Sequence, residues 1–304
     1  MLAGATRTQL ARAGLDAEVV ESLVRAALAE DLAGGIDVTT AATVAVDQRQ
    51  TLDLVARRAG TVAGIPVAAA VFEVVAADAG HEIVVASCHD DGDRVAAGEV
   101  IVSATGTTRD LLTAERTALN LLGHLSGIAT ATREWADALA GTATRVRDTR
   151  KTTPLLRALE KYAVRCGGGV NHRMSLSDAA LIKDNHVLAA GSVTAAFKAV
   201  RDRYPDLPVE IEVDSLEQLA EAVAAGADLI LLDNFDIDRL RRACGIVAGR
   251  ARLEASGGLH VADADAVAGT GVDFVAVGAI THSAPTLDIG GDLRPQRRPG
   301  PSKP

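Results

Sequence analysis

Two basic pairs, Arg150-Lys151 and His172-Arg173, are followed closely by Lys183. Residues of these types, if gathered, can hold a small molecule carrying several negative charges. Arginine offers a planar fork that pairs with carboxylate through two parallel bonds, and lysine offers a compact point charge. The surrounding segment, 145–183, has nine Lys or Arg and three acids, so it is +6 in a chain whose total is −9. The chain has only five lysines, Lys151, Lys161, Lys183, Lys198 and Lys303, and three of them fall in this segment. An arginine-rich solvated helix face would give the same count, so charge alone leaves both readings open.

Acids and glycines follow in a definite order. Glu210, Glu212 and Asp214 come first, then Asp233-Asn234, then Glu254, Ser256, Gly257 and Gly258, and last Gly278, Ala279 and His282. The carboxylates of Glu212 and Asp233 suit Mg2+ held mainly through waters and the phosphates of a substrate. No zinc-like His/Cys spacing is present. Ser256-Gly257-Gly258 and Gly278 offer a hydroxyl and unobstructed backbone N–H groups, which suits phosphate. Each feature has a plainer reading when taken alone: an ion-paired network, an ordinary turn, or, for His172, a surface-loop histidine.

The elements needed to bring these residues together are visible as short apolar runs. Strands are predicted at Thr144–Thr149, Ala179–Lys183, Val209–Val213, Asp228–Leu232, Arg252–Ser256 and Asp273–Val277, with helical stretches such as Thr194–Arg203 and Ser215–Ala225 between them. Near-continuous apolar strands alternating with helices indicate parallel βαβ units. Every one of these strands ends in polar residues or glycine, and in a β/α barrel those ends form one rim, where active sites sit. A doubly wound open sheet is the rival, but no Gly-x-Gly-x-x-Gly follows an early strand. Alternation puts Glu210 and Glu212 on one face, and Arg252, Glu254 and Ser256 on one face. Upstream, residues 16–30, Val67–Ala77 and Leu111–Leu139 read as helices. Thr51–Arg57, Thr61–Ala63, Glu82–Ala86 and Val100–Thr105 read as strands. The turn-rich run from Asp90 to Glu99 resembles a lipoyl or biotinyl hairpin, but no lysine precedes Lys151, so it reads as structural turns. The tail from Arg294 onward is rich in Pro and Arg and is expected to be disordered.

Composition sets the outer bounds. The chain has 304 residues, enough for one large domain or two modest ones. It is 48% hydrophobic but only 2% aromatic, so Ala, Val and Leu must fill the core. No apolar run reaches the roughly 18 residues of a membrane span, and the first ten residues do not read as a secretory signal. Cys88, Cys166 and Cys244 are widely spaced, as expected for thiols in a reducing cytosol. Net negative charge argues against general nucleic-acid binding.

The ordered motifs resemble one family. They are Thr149-Arg150-Lys151-Thr152-Thr153-Pro154, Glu160-Lys161-Tyr162-Ala163-Val164-Arg165, Gly167 to Arg173, and Leu181-Ile182-Lys183-Asp184-Asn185-His186. Ile211-Glu212-Val213-Asp214, Leu232-Asp233-Asn234, Glu254 to Gly258, and Val277 to Ser283 continue the series. Together, over about residues 16–293, they resemble bacterial quinolinate phosphoribosyltransferases. The resemblance implies an N-terminal α/β sandwich over 1–120, an open β/α barrel with fewer than eight strands over 121–282, and a segment 283–304 that packs back on the sandwich. It also implies a cytoplasmic homodimer in which one subunit's N-terminal domain covers its partner's barrel. The reaction would be phosphoribosyl transfer from phosphoribosyl pyrophosphate to quinolinate with decarboxylation, with Mg2+, on the route to NAD. Arg150, Lys151, His172, Arg173 and Lys183 would form the pocket for quinolinate, with Thr149 beside them and Arg116 reaching in from the neighbouring subunit. Glu212 and Asp233 would hold the ribose hydroxyls and Mg2+. Ser256, Gly257, Gly258, Gly278, Ala279 and His282 would receive the 5′-phosphate. Lys151, Lys183, Glu212 and Asp233 would be the catalytic set. Three positions depart from the family pattern: Leu155 and Ser175 replace glycines, and Gly291 replaces an apolar residue.

Three other functions remain to be weighed. A paralogous phosphoribosyltransferase could act on another aromatic acid. A Schiff-base aldolase could use Lys183, but its lysine should be desolvated and away from other cations. A non-catalytic metabolite-binding protein would not need the full set of acids, bases and phosphate loops.

Overall fold

The computed structural model describes residues 2–294. The Pro- and Arg-rich tail beyond Arg294 lies outside the described residues. Arg294 itself is held in place, its Nε donating to Asp53 Oδ2 at 2.7 Å. The chain divides into two units, Met1–Thr130 with Pro285–Pro304, and Ala131–Ala284. The break falls ten residues beyond the 120/121 division drawn from the sequence and lies within one long helix.

In the first unit come α1 (Gly4–Arg12), α2 (Ala17–Leu32), α3 (Val38–Thr43), β1 (Arg49–Ala56), β2 (Gly60–Thr61), α4 (Ile65–Asp78), β3 (Val84–Ser87), β4 (Arg94–Val95), β5 (Val100–Thr107) and α5 (Thr108–Ala138), which runs on into the second. Asp16 caps α2 by accepting from the amides of Glu18 and Val19, and Val20, Val24 and Leu28 form its buried stripe at helical spacing. The main sheet is antiparallel, in the order Ile289–Leu293, β1, β5, β3. The Asp-rich turn acts as a cap here. Asp91 accepts from the amides of Gly64 and Ile65, both at 3.0 Å, where the buried helix α4 begins. Gly291 pairs with Leu54, and a Cβ there would meet Glu115 Cδ at 2.9 Å. The glycine therefore makes room for the Glu115 side chain, whose carboxyl is pushed up by burial.

The second unit contains β6 (Arg145–Arg147), α6 (Arg157–Cys166), β7 (Ala180–Ile182), α7 (Asp184–Ala190), α8 (Val193–Arg203), β8 (Val209–Val213), α9 (Leu216–Ala224), β9 (Leu229–Asp233), α10 (Ile237–Val247), β10 (Arg252–Ser256), α11 (Ala264–Ala268), β11 (Phe274–Ala276) and α12 (Ala279–His282). Its six strands are all parallel, in the order β6-β11-β10-β9-β8-β7. Ser192, Ser215 and Asp236 cap α8, α9 and α10. These caps start each helix cleanly, and the parallel order puts all the strand C-termini on one side. β6 and β7 are the free edges, yet Arg147 on β6 lies 3.6 Å from Glu210 on β8, the fifth strand across. A flat sheet could not bring them together, so the sheet curls into an open barrel. Among the described residues, no helix is long and apolar enough to cross a membrane.

Candidate active site

The barrel interior carries a polar layer. Arg147, Glu254 and Glu210 come from β6, β10 and β8, every second strand, the usual source of a barrel layer. Arg147 Nη1 is 2.5 Å from Glu254 Oε2, and the His172 ring reaches Glu210 Oε2 through Nε2 at 2.7 Å. Burial pushes the Glu254 carboxyl up to about 8, the Glu210 carboxylate adds to the shift, and Arg147 opposes it. His172, Glu210 and Glu254 are, among the described residues, the one trio whose ligand atoms could hold a metal. The Arg147 guanidinium already supplies a fixed positive charge there, so a cation would be repelled. Arg252 keeps to the Glu254 face, its guanidinium 5.8 Å from the ring of Phe274, the residue paired with Glu254, but it is exposed at the other end of β10 while Glu254 is fully buried.

Beside this layer stands a buried post. Asp148 accepts from Lys161 Nζ at 2.5 Å, from Asn171 Nδ2 at 2.6 Å and from the His172 amide at 2.7 Å. Lys161 also donates to the His172 carbonyl at 2.9 Å, and burial pushes its ammonium down in pKa while Asp148 opposes that. This corrects the charge count. Lys161 is fully buried, Arg147 lies inside the barrel, and Arg157 and Arg165 bond to Met174 O and Asn171 Oδ1. Of the nine cations, the cavity is lined by Arg150, Lys151, Arg173 and Lys183.

That cavity, about 820 Å3, opens at the strand C-termini. At its cationic end, Nε of Arg150 and Nε of Arg173 are buried without a hydrogen-bond partner among the described residues. Burial lowers the Arg173 pKa and the neighbouring Arg150 lowers it further. Arg173 Nη1 donates to the Ala179 carbonyl at 2.9 Å. Thr149 accepts from the Lys151 amide at 3.0 Å, and Thr281 on α12 donates to the Lys151 carbonyl at 2.8 Å. Lys183 is held at the start of α7 by its amide, which donates to His186 Nδ1 at 3.0 Å, and its ammonium donates to Glu212.

The acidic and glycine-rich parts are joined. Asn234 adopts a left-handed backbone, φ +56°, donates to Asp233 Oδ2 at 2.8 Å, and sends its amide to the Ser256 carbonyl at 2.9 Å. Gly257 has φ +104°, and a Cβ on it would approach the Asn234 nitrogen to 2.9 Å, so this position requires glycine. At Gly278 a Cβ would come within 3.0 Å of the Lys151 side chain and 3.3 Å of His282.

The structure gathers Thr149, Arg150, Lys151, His172, Arg173, Lys183, Glu212, Asp233, Ser256, Gly257, Gly258, Gly278, Ala279 and His282 around this one cavity. Arg116 is not on its wall; it is an exposed residue of α5 in the first unit. Among the polar wall residues, Asn234 and Glu254 were read at strand ends but given no ligand role, and His260 was missed. His260 follows the Ser256-Gly257-Gly258 turn by two residues, a polar side chain after a strand end and so a readable signal.

The chain resembles known proteins in sequence and fold. The quinolinate phosphoribosyl transferase N-terminal domain matches residues 37–126 and the C-terminal domain of the same enzyme matches residues 128–292. The nicotinate-nucleotide pyrophosphorylase [carboxylating] of Mycobacterium leprae is 50% identical over 279 residues, 91% of this chain and 98% of that protein. A probable enzyme of the same name from Synechocystis is 41% identical over 89% of this chain and 91% of its own. Among solved structures, NadC from Streptococcus pyogenes superposes with TM-score 0.87 at 41% identity, covering 92% of this chain and 98% of that one. The nicotinate-nucleotide pyrophosphorylase of Francisella tularensis gives TM-score 0.87 at 38% identity, over 92% and 98%. The chain belongs to the quinolinate phosphoribosyltransferase family.

Proposed function

We propose that the protein transfers a phosphoribosyl group from phosphoribosyl pyrophosphate to quinolinate with loss of CO2, giving nicotinate mononucleotide and pyrophosphate for NAD biosynthesis. The observation that carries this reading is the pair of buried, unpartnered guanidinium N–H groups on Arg150 and Arg173. A buried donor left unpaired costs about 1–3 kcal/mol, and a dicarboxylate would satisfy both. Lys151 and Lys183 add positive charge beside them.

The pyridine nitrogen attacks C1 of the ribose as pyrophosphate departs, and the sugar carbon becomes cationic in the transition state. Glu212 and Asp233, at the ends of β8 and β9, place negative charge where that cation develops and can accept from the ribose hydroxyls. Ser256, Gly257, Gly258, Gly278, Ala279 and His282 form the end for the 5′-phosphate. The oxygen donors of Glu212 and Asp233 fit Mg2+ held largely through waters, which would neutralise charge on the departing pyrophosphate. Decarboxylation then leaves the C–C electron pair on ring carbon 2, beside the cationic ring nitrogen, where a proton from water replaces the lost CO2, and no covalent nucleophile is needed. The Schiff-base reading loses ground: the Lys183 side chain is half-exposed and ion-paired with Glu212, whereas a Schiff-base lysine works as a desolvated free amine.

The assembly proposed with it, on the family resemblance, is a cytoplasmic homodimer in which Arg116 of one protomer completes its partner's pocket. The exposure of Arg116 leaves it available for that role. The test is to incubate purified protein with phosphoribosyl pyrophosphate and Mg2+ and offer quinolinate or nicotinate separately. Product from quinolinate supports the assignment, and product from nicotinate alone overturns it.

A further inference from the structure

Both ring nitrogens of His172 are already in use. The Arg173 amide donates to His172 Nδ1 at 2.7 Å, and Nε2 lies 2.7 Å from Glu210 Oε2. A backbone N–H can only donate, so Nδ1 must present its lone pair and Nε2 must carry the proton. The His172 side chain is 6% exposed, and the residue's own amide and carbonyl are tied to Asp148 and Lys161. It therefore has no ring nitrogen left to offer a substrate carboxylate. What it does hold is the peptide between residues 172 and 173, from which the Arg173 side chain projects.

We infer that His172 and Glu210 are positioning residues: Glu210 fixes the Nε2–H tautomer of His172, and His172 in turn fixes the backbone of Arg173 so that its guanidinium stands ready for a carboxylate. The chain of contacts extends below the pocket, with Arg147 3.6 Å from Glu210 and 2.5 Å from Glu254. Arg173 is thus anchored twice, through its amide to the ring and through Nη1 to the Ala179 carbonyl. Bidentate pairing needs the fork in one orientation, so small errors in the backbone weaken it steeply. This alters the role expected from family likeness, in which His172 is one of the cations around quinolinate.

The inference rests on the reading of this end of the cavity as the carboxylate end, and the test separates the two. In unliganded protein labelled with 15N-histidine, the His172 signal should show a protonated Nε2 and an unprotonated Nδ1. The opposite tautomer, or a doubly protonated ring at neutral pH, overturns the inference whatever the substrate. Two variants then give a kinetic readout. Asn in His172→Asn places its amide oxygen near the former Nδ1 and can still accept from Arg173, so the KM for quinolinate should stay within about threefold of the parent. Gln in His172→Gln reaches toward Glu210 instead, and the KM for quinolinate should rise about tenfold or more, with the KM for phosphoribosyl pyrophosphate within about twofold. Rescue by Gln and not by Asn would mean that the Nε2 edge acts on substrate directly, and would overturn the inference. Failure of the parent to use quinolinate, with the tautomer as expected, would count against the substrate assignment alone.

Discussion

Lys183 donates its ammonium to the carboxylate of Glu212, so the cationic end of the cavity and its acidic end share one ion pair at the tips of β7 and β8. The two residues arise 29 positions apart and meet because their strands are parallel neighbours. Lys183→Ala should therefore disturb both substrates, lowering kcat/KM for quinolinate and for phosphoribosyl pyrophosphate by about tenfold or more each, from the lost charge and the freed Glu212. Steady-state kinetics with each substrate varied in turn would show this, and an effect on one substrate only would break the proposed coupling.

Arg173 should behave differently. Its buried Nε has no partner among the described residues and its Nη1 is already given to Ala179. Arg173→Ala should raise the KM for quinolinate by about tenfold to a hundredfold, the loss expected for a charge-assisted bond or two, with little change in the KM for phosphoribosyl pyrophosphate. Unchanged quinolinate kinetics would remove it from the pocket.

Leu155 occupies a left-handed backbone conformation, φ +69°, and is 91% exposed. Such a conformation costs a residue with a side chain about 1–2 kcal/mol, partly offset by the greater unfolded freedom of glycine. This is the backbone that the glycine expected there from the family resemblance would adopt without strain. Leu155→Gly should raise unfolding stability by about 0.5 kcal/mol, measured by urea titration. A clear loss of stability would contradict it. Ser175, the second departure, requires no positive φ; its amide donates to Asp178 Oδ1 at 3.1 Å and its hydroxyl sits 2.9 Å from that of Ser177.

Glu254 gives a pH signature. Folded, it keeps its proton up to about pH 8, against an ordinary value of 4.5. Between those values the folded state binds the extra proton, so this group's contribution to stability falls as pH rises from about 4.5 to about 8. Glu254→Gln keeps the shape and removes the titration. Unfolding titrations at pH 5 and pH 8.5 should show the parent losing stability relative to the variant, and parallel curves would place the carboxyl's titration elsewhere.

Much of this was legible in the sequence, for physical reasons. Parallel strands buried on both faces read as apolar runs, and the polar residues directly after them had to lie on one rim. What escaped was direction. Charge counting put Arg147 and Lys161 with Arg150 and Arg173, but Arg147 points into the barrel and Lys161 is sealed against Asp148. The helix α6 was missed for the same reason: Glu160 and Lys161 are both buried on it, so its charged residues do not mark a solvent face. The coupling of Asn234 to Gly257 depends on a left-handed turn that no residue pattern announced.

In the proposed reaction the cationic end of the cavity holds the two carboxylates of quinolinate while one of them is lost. This is tested most directly with quinolinate carrying label in the 2-carboxylate, phosphoribosyl pyrophosphate and Mg2+. One labelled CO2 and one pyrophosphate should appear for every nicotinate mononucleotide formed. Retention of the label in the nucleotide product, or turnover of nicotinate with none of quinolinate, would contradict it.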